Sequence, residues 1–171
     1  MQQRIIRLAI IAAVITAVAC KSDSTTAVVP VSKIVTFKAA MNGANEVPAN
    51  TTTGTGTFTA TLDTSTNVFT YDIAFTGLTS NVNNGHLHGP AAVGANSGTT
   101  INFNTLAGAT FSFGAAAGTG RGTATLTPAT QITATISGDS LKKLLFAGLT
   151  YVNIHTVNNP GGEIRGQVTK Q

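Results

Sequence analysis

Polar and apolar residues alternate along most of this chain, and the alternation breaks at clusters of Gly, Asn, Ser, Thr and Pro. A period of two bounded by turn residues predicts strands that bury one face. In "KIVTFKAAM" (33–41) Val35, Phe37, Ala39 and Met41 share a face, and in "GTGTFTATLD" (54–63) Phe58, Ala60 and Leu62 do. The turn "TSTN" (64–67) leads into "VFTYDIAFTGL" (68–78), where Phe69, Tyr71, Ile73 and Phe75 alternate. These two segments predict an antiparallel hairpin with a solvated, Thr-covered face. "NGANEVPAN" (42–50) reads as a turn and loop, and "TSNVNN" (79–84) as a loop before the short stretch "GHLHGP" (85–90).

Further strands are predicted at 99–104, 110–114, 123–127, 131–137, 149–157 and 162–170, the last two joined by the turn "NNPG". "AAAGTGRG" (115–122) reads as a Gly-rich connector. It is not a phosphate loop, because no Lys–Ser/Thr pair and helix follow it. One helix is predicted over 138–148, with Asp139 or Ser140 as N-cap, Leu141, Leu144 and Leu145 on one face, and Gly148 just past its end. The expected fold is all-β: an antiparallel Greek-key sandwich or barrel of about eight short strands with one short connecting helix.

The N-terminus follows a different pattern. "MQQRIIRLAIIAAVITAVAC" has a cationic start and an apolar run from Leu8 to Ala19. That run is short for a membrane span and reads as the core of an export signal over residues 1–19. "AVAC" resembles a bacterial lipobox, with Ala17 where Leu is usual, which makes Cys20 the expected site of acylation, palmitate included, and of membrane anchoring. Ordinary secretion after cleavage at Ala19 is the alternative. Cys20 is the single Cys in the chain, so no intramolecular disulfide forms. Residues 20–32 read as a tether and 33–171 as the folded domain. The expected location is the bacterial cell envelope, periplasmic or on the outer face.

Charge narrows the partners. The formal net charge is +4, but Arg4 and Arg7 lie in the signal, and eight Lys/Arg face six Asp/Glu from Cys20 onward. These are scattered singly, without a basic stripe or interleaved aromatics, which argues against a nucleic-acid partner. No Ser-His-Asp order with an elbow motif and no close carboxylate pair is visible, so hydrolytic chemistry is a poor reading.

The chain has three His, and they are not scattered. His86 and His88 stand two apart, so on a strand they project to one side, as do Tyr151, Asn153 and His155. If the two strands pair, three imidazoles converge, a set that suits copper or zinc and leaves a coordination position open. Asn153, Glu163 and Asp72 are the groups able to orient an imidazole N–H. The competing expectation is structural: "HLHGPA" and "YVNIHT" lie side by side, and their imidazoles hydrogen-bond each other's backbone. Glu46 and Arg165 are expected to form an ion pair locking the terminal strands, and Glu163 with Arg165 a solvated pair.

Three segments carry a resemblance to a known family. "NGANEVPA" (42–49), "GHLHGPA" (85–91) and "LTYVNIHTVNNPGGEIRGQV" (149–168) resemble the signature segments of the CHRD domain, first described as a repeat in chordin. The resemblance spans roughly residues 34 to 168 and implies an extracellular β module; growth-factor binding does not carry over to a single bacterial domain. A weaker likeness is to copper–zinc superoxide dismutases. There His86, His88 and His155 match copper ligands, and Arg165 matches the anion-guiding arginine. The bridging His, the zinc-binding set and the stabilising disulfide of those enzymes are missing here. The function expected is a non-enzymatic binding or structural module anchored to the membrane, with an unidentified extracellular or periplasmic ligand. The alternative is a copper-binding or redox protein using the three histidines.

Overall fold

A computed structural model describes residues 33–171 apart from 104, 107 and 134. The expected signal, Cys20 and the tether lie outside the described residues.

The hairpin expected from the alternation extends into a three-stranded meander. β1 (Ile34–Asn42), β2 (Thr55–Asp63) and β3 (Val68–Thr76) pair in unbroken antiparallel register, Ile34 opposite Asp63 and Phe58 opposite Ile73. β4 (Val82–His88), β5 (Thr99–Asn102), β6 (Thr110–Phe111), β7 (Gly118–Thr125), β8 (Tyr151–Thr156), β9 (Ile164–Gln167) and β10 (Thr169–Lys170) complete one antiparallel sheet. Its order is β5-β4-β8-β9-β1-β2-β3-β7-β6, with β10 also on β1. The sheet curls into a half-barrel, and the all-β class expected from the sequence holds. The segment after β6 reaches across to β4: Val82 donates to Ala115 O and Gly114 to Val82 O. Among the described residues no helix is long and apolar enough to cross a membrane.

The inner face is apolar and aromatic. Phe58, Tyr71, Phe103 and Phe111 stack across the barrel, and the Tyr71 hydroxyl donates to Phe103 O at 3.3 Å. This core explains the misread connector. β7 points Gly118, Gly120 and Gly122 inward and Thr119, Arg121 and Thr123 outward. A Cβ on Gly122 would meet the Tyr71 ring at 2.5–2.8 Å, and one on Gly120 would meet Phe111 at 2.4 Å. The strand keeps its period of two, but neighbouring rings fill the places where its own apolar side chains would stand.

Other boundaries differ for local reasons. Residues 131–137 are not a strand: Ile132 N–H and Thr133 N–H both bond Ile136 O, and the chain reverses there. The Thr133 hydroxyl accepts from Ile136 N–H, a side-chain bond that competes with ladder formation. The helix, α1 (Gly138–Phe146), is capped by Ser137, one residue before it, instead of Asp139 or Ser140. Gly148 takes the left-handed conformation just past its end, as expected. The stretch read as a loop before Gly85 already belongs to β4 from Val82.

The outer face has two characters. Over β2, β3 and β7 it carries exposed Thr. Over β4, β8 and β9 it carries His86, His88, Tyr151, Asn153, His155, Arg165 and Gln167, roofed by the segments 43–54, 89–98 and 157–163. Hydrogen bonds hold the roof: Gln167 Nε2 donates to Ala91 O, Asn96 Nδ2 to Val47 O and Asn50 Nδ2 to Glu163 O.

Candidate metal centre

β4 and β8 pair with His86 opposite Asn153, His88 opposite Tyr151 and Asn84 opposite His155. Alternation puts Gly85, Leu87, Val152 and Ile154 in the core and the polar residues on the other face. His86 and His155 are half-buried there, and His88 is buried at 8% exposure. Each of the three histidines offers a nitrogen within 4.8 Å of the others. The convergence predicted from spacing is present.

Hydrogen bonds fix the ring states. His88 Nδ1 lies 2.9 Å from Ser97 O, and His155 Nδ1 lies 2.9 Å from Pro160 O. A carbonyl can only accept, so both Nδ1 atoms carry the proton and both Nε2 atoms keep a lone pair in the neutral ring. His86 Nδ1 stands 3.0 Å from His155 Nε2. Because His155 Nε2 is the acceptor, His86 Nδ1 donates across this contact, and its proton moves to Nε2 of the same ring when Nδ1 binds an ion. The imidazoles are therefore neighbours, as the structural expectation held. Their backbone partners, however, are the carbonyls of the adjoining loops and not each other's strands.

Electrostatics keep the rings neutral. Burial pulls His86 down to about 4, helped by the proximity of His155 and His88. Burial also lowers His88 and His155 against the opposing pull of their carbonyl partners. Metal ligation needs a neutral imidazole, so no ring has to lose a net proton at neutral pH; only that of His86 has to move from Nδ1 to Nε2.

A second layer holds His88. Its ring stacks on Tyr151 at 4.7 Å with an interplanar angle of 5°, and the Arg165 guanidinium carbon lies 3.4 Å from the other ring's centroid, that of Tyr151. Its Nε2 lies 3.1 Å from Asn153 Oδ1. In this orientation the amide NH2 is left for Glu46, and turning it to give the neutral ring a donor would take that donor away. On its other side Asn153 meets Glu46, whose carboxyl is pushed up to about 7 by burial, against the pull of Arg165 and Asn153. Glu46 Oε1 is buried without a hydrogen-bond partner.

Several expectations need correction. Arg165 does not make a contact ion pair with Glu46; it donates to Asn96 Oδ1 at 2.9 Å and Ala95 O at 2.6 Å, and acts on Glu46 through space. Glu163 is neither solvated nor paired with Arg165, nor does it orient an imidazole. It is buried and accepts from Thr52, Thr79 N–H, the Thr79 hydroxyl and Thr156, and these bonds outweigh its desolvation and lower its proton affinity. Asp72 lies on the exposed face of β3 beside Arg121, away from the histidines. The sequence reading gave no role to Tyr151, Ser97 or Pro160. The alternation with Asn153 and His155 pointed to the face of Tyr151, but a backbone carbonyl leaves no mark in a sequence.

No curated protein and no solved structure matches the chain. A family model does: residues 37–168 match that of the CHRD domain. The match takes in the meander, all three histidines, the Glu46 loop and Arg165, and on that extent the chain belongs to the CHRD domain family.

Proposed function

We propose that this CHRD domain is a non-enzymatic binding module whose site takes a single copper ion, with zinc as the competing metal, on His86, His88 and His155. The observation that carries this reading is the convergence of three imidazoles whose nitrogens lie within 4.8 Å, with loop carbonyls holding the proton of His88 and His155 on Nδ1 so that Nε2 keeps its lone pair. Three neutral nitrogen donors suit Cu(I), Cu(II) or Zn(II) better than Mg or Ca, which seek oxygen. Three protein ligands leave a position for water or a small ligand. The half-buried position of His86 and His155 gives an ion a way in.

The module acts at the bacterial cell envelope, held by acylated Cys20. The support is the apolar run ending in "AVAC" and the single Cys. Metal content of the chain purified without a His tag, followed by copper titration of wild type and His86→Ala, tests the site. Equal copper binding by the two proteins removes it. Cell fractionation tests the anchor: Cys20→Ser shifts to the soluble fraction, and identical fractionation of the two proteins contradicts the lipid.

A further inference from the structure

The described lysines are unevenly placed. Lys33, Lys38, Lys142, Lys143 and Lys170 all lie on β1, on its edge partner β10, on α1, or directly before β1. The acidic groups beside them are Asp139, which pairs with Lys142 and Lys143, and Asp63, which stands opposite Ile34. Elsewhere among the described residues, exposed Arg121 pairs with exposed Asp72, and Glu46, Glu163 and Arg165 are buried. The net positive charge of the described surface is therefore gathered at one end of the barrel.

Two exposed apolar side chains lie at that end as well, while Val93, Phe113 and Val157 face water elsewhere. Phe146 is 42% exposed and Ile34 55%. Lys170 Nζ lies 5.3 Å from the Phe146 ring centroid, and Phe146 packs edge-on against Phe37. Thr64, Asn67, Lys142, Lys143 and Phe146 line a shallow cleft of about 290 Å³. Lys33 O accepts from Thr64 N–H at the same place, so the chain from Cys20 arrives there. Twelve residues separate Cys20 from Lys33, so the two reach at most about 47 Å apart when extended.

We propose that this end of the barrel, with Lys33, Lys143, Lys170 and Phe146 in contact, docks on an anionic phospholipid surface. The inference rests on the membrane anchoring proposed above, which brings the domain within reach of the bilayer. Lysines beside an exposed aromatic ring match a negative headgroup layer over an apolar interior, and a short leash keeps the local lipid concentration high. The histidine layer, on the outer face of β4 and β8, takes no part in the contact.

The chain contains no Trp, so Phe146→Trp introduces one reporter indole. The full chain in its membrane-derived form is reconstituted on phosphatidylcholine vesicles, or on equal phosphatidylcholine and phosphatidylglycerol. On the mixed vesicles the emission moves to the blue and acrylamide quenching falls several-fold. High salt reverses both, as does Lys33→Glu/Lys143→Glu/Lys170→Glu in the same background, with an unchanged melt showing that it folds. A chain that sediments with mixed vesicles while its indole stays as in solution overturns the docking and leaves the anchor standing. An equal shift on both vesicle types overturns charge recognition. A chain that sediments with neither overturns anchor and docking together.

Discussion

His86 Nδ1 stands 3.0 Å from His155 Nε2, on paired strands and 69 residues apart in sequence. Neither ring can turn freely, because His155 is bound through Nδ1 to Pro160 O and the pair sits under a roof of loops. Removing either ring is expected to cost copper affinity more than about 100-fold, beyond the roughly 10–100-fold typical of groups that only orient a ligand. Asn153→Ala, which clears the ligating Nε2 of His88, is expected to leave copper affinity unchanged or to raise it. Competitive titration against a chromophoric chelator reads both. Equal losses in His155→Ala and Asn153→Ala would contradict the division of roles.

Metal and structure separate in the melting behaviour of His155→Gln. Loss of the exposed bond to Pro160 O costs on the order of 0.5–1.5 kcal/mol in the metal-free protein. Copper at about 100 times its Kd adds roughly 2.7 kcal/mol to the wild type and little to the variant. Thermal melts with and without chelator measure the two effects. A wild-type melt unmoved by chelator after copper loading would leave the histidines a structural role alone.

Acid acts on His86 and Glu46 in opposite directions. His86 is held down to about 4, so as pH falls below 6.5 the unfolded chain takes the proton first. The stability His86 confers is full above pH 6.5 and is lost towards pH 4. Glu46 is held up to about 7, so the folded chain takes that proton first, and a penalty present above pH 7 is relieved as pH falls to 4.5. Glu46→Gln keeps the first effect and abolishes the second. The variant is expected to be more stable than wild type at pH 8, to converge with it near pH 4.5, and to lose melting temperature more steeply on acidification. Parallel pH profiles of the two chelated proteins would refute this.

Glu163 ties three segments together through Thr52, Thr79 and Thr156. Glu163→Ala leaves those donors buried without an acceptor and is expected to cost about 3–5 kcal/mol, a large part of the stability of a domain this size. Urea unfolding checks it. A change below about 1 kcal/mol would mean that water replaces the carboxylate.

Gly122→Ala tests the reading of β7. The added methyl has no room beside the Tyr71 ring and is expected to cost about 1–3 kcal/mol. Gly94→Ala, where the space is open but φ is +80°, isolates backbone strain from crowding. Melts of the two variants compared with a Gly98→Ala control would expose an error in either assignment.

How much of this was legible in the sequence depended on whether a residue's own side chain carried the signal. Phe37, Phe58, Tyr71 and Phe75 announced β1 to β3 because each strand buries its own rings. The first half of β7, Gly118 to Gly122, was missed because the rings that fill its inner face belong to Tyr71, Phe75 and Phe111. Residues 131–137 misled because Ile132 and Ile136 alternate correctly while their backbone bonds turn back on themselves. The histidine layer was legible, since two spacings of two on pairing strands dictate a shared face. Its supports were not: Glu46 meets Asn153 only through the fold of a loop, and Glu163 finds its partners far away in sequence.

The most direct test of the metal centre is the copper-edge X-ray absorption spectrum of the protein loaded with one equivalent of copper. A three-histidine centre gives nitrogen neighbours at about 2.0 Å, with outer-shell scattering from three imidazoles that falls by one ring in each of His86→Ala, His88→Ala and His155→Ala. A spectrum without imidazole scattering, or one that the three substitutions leave unchanged, would contradict it.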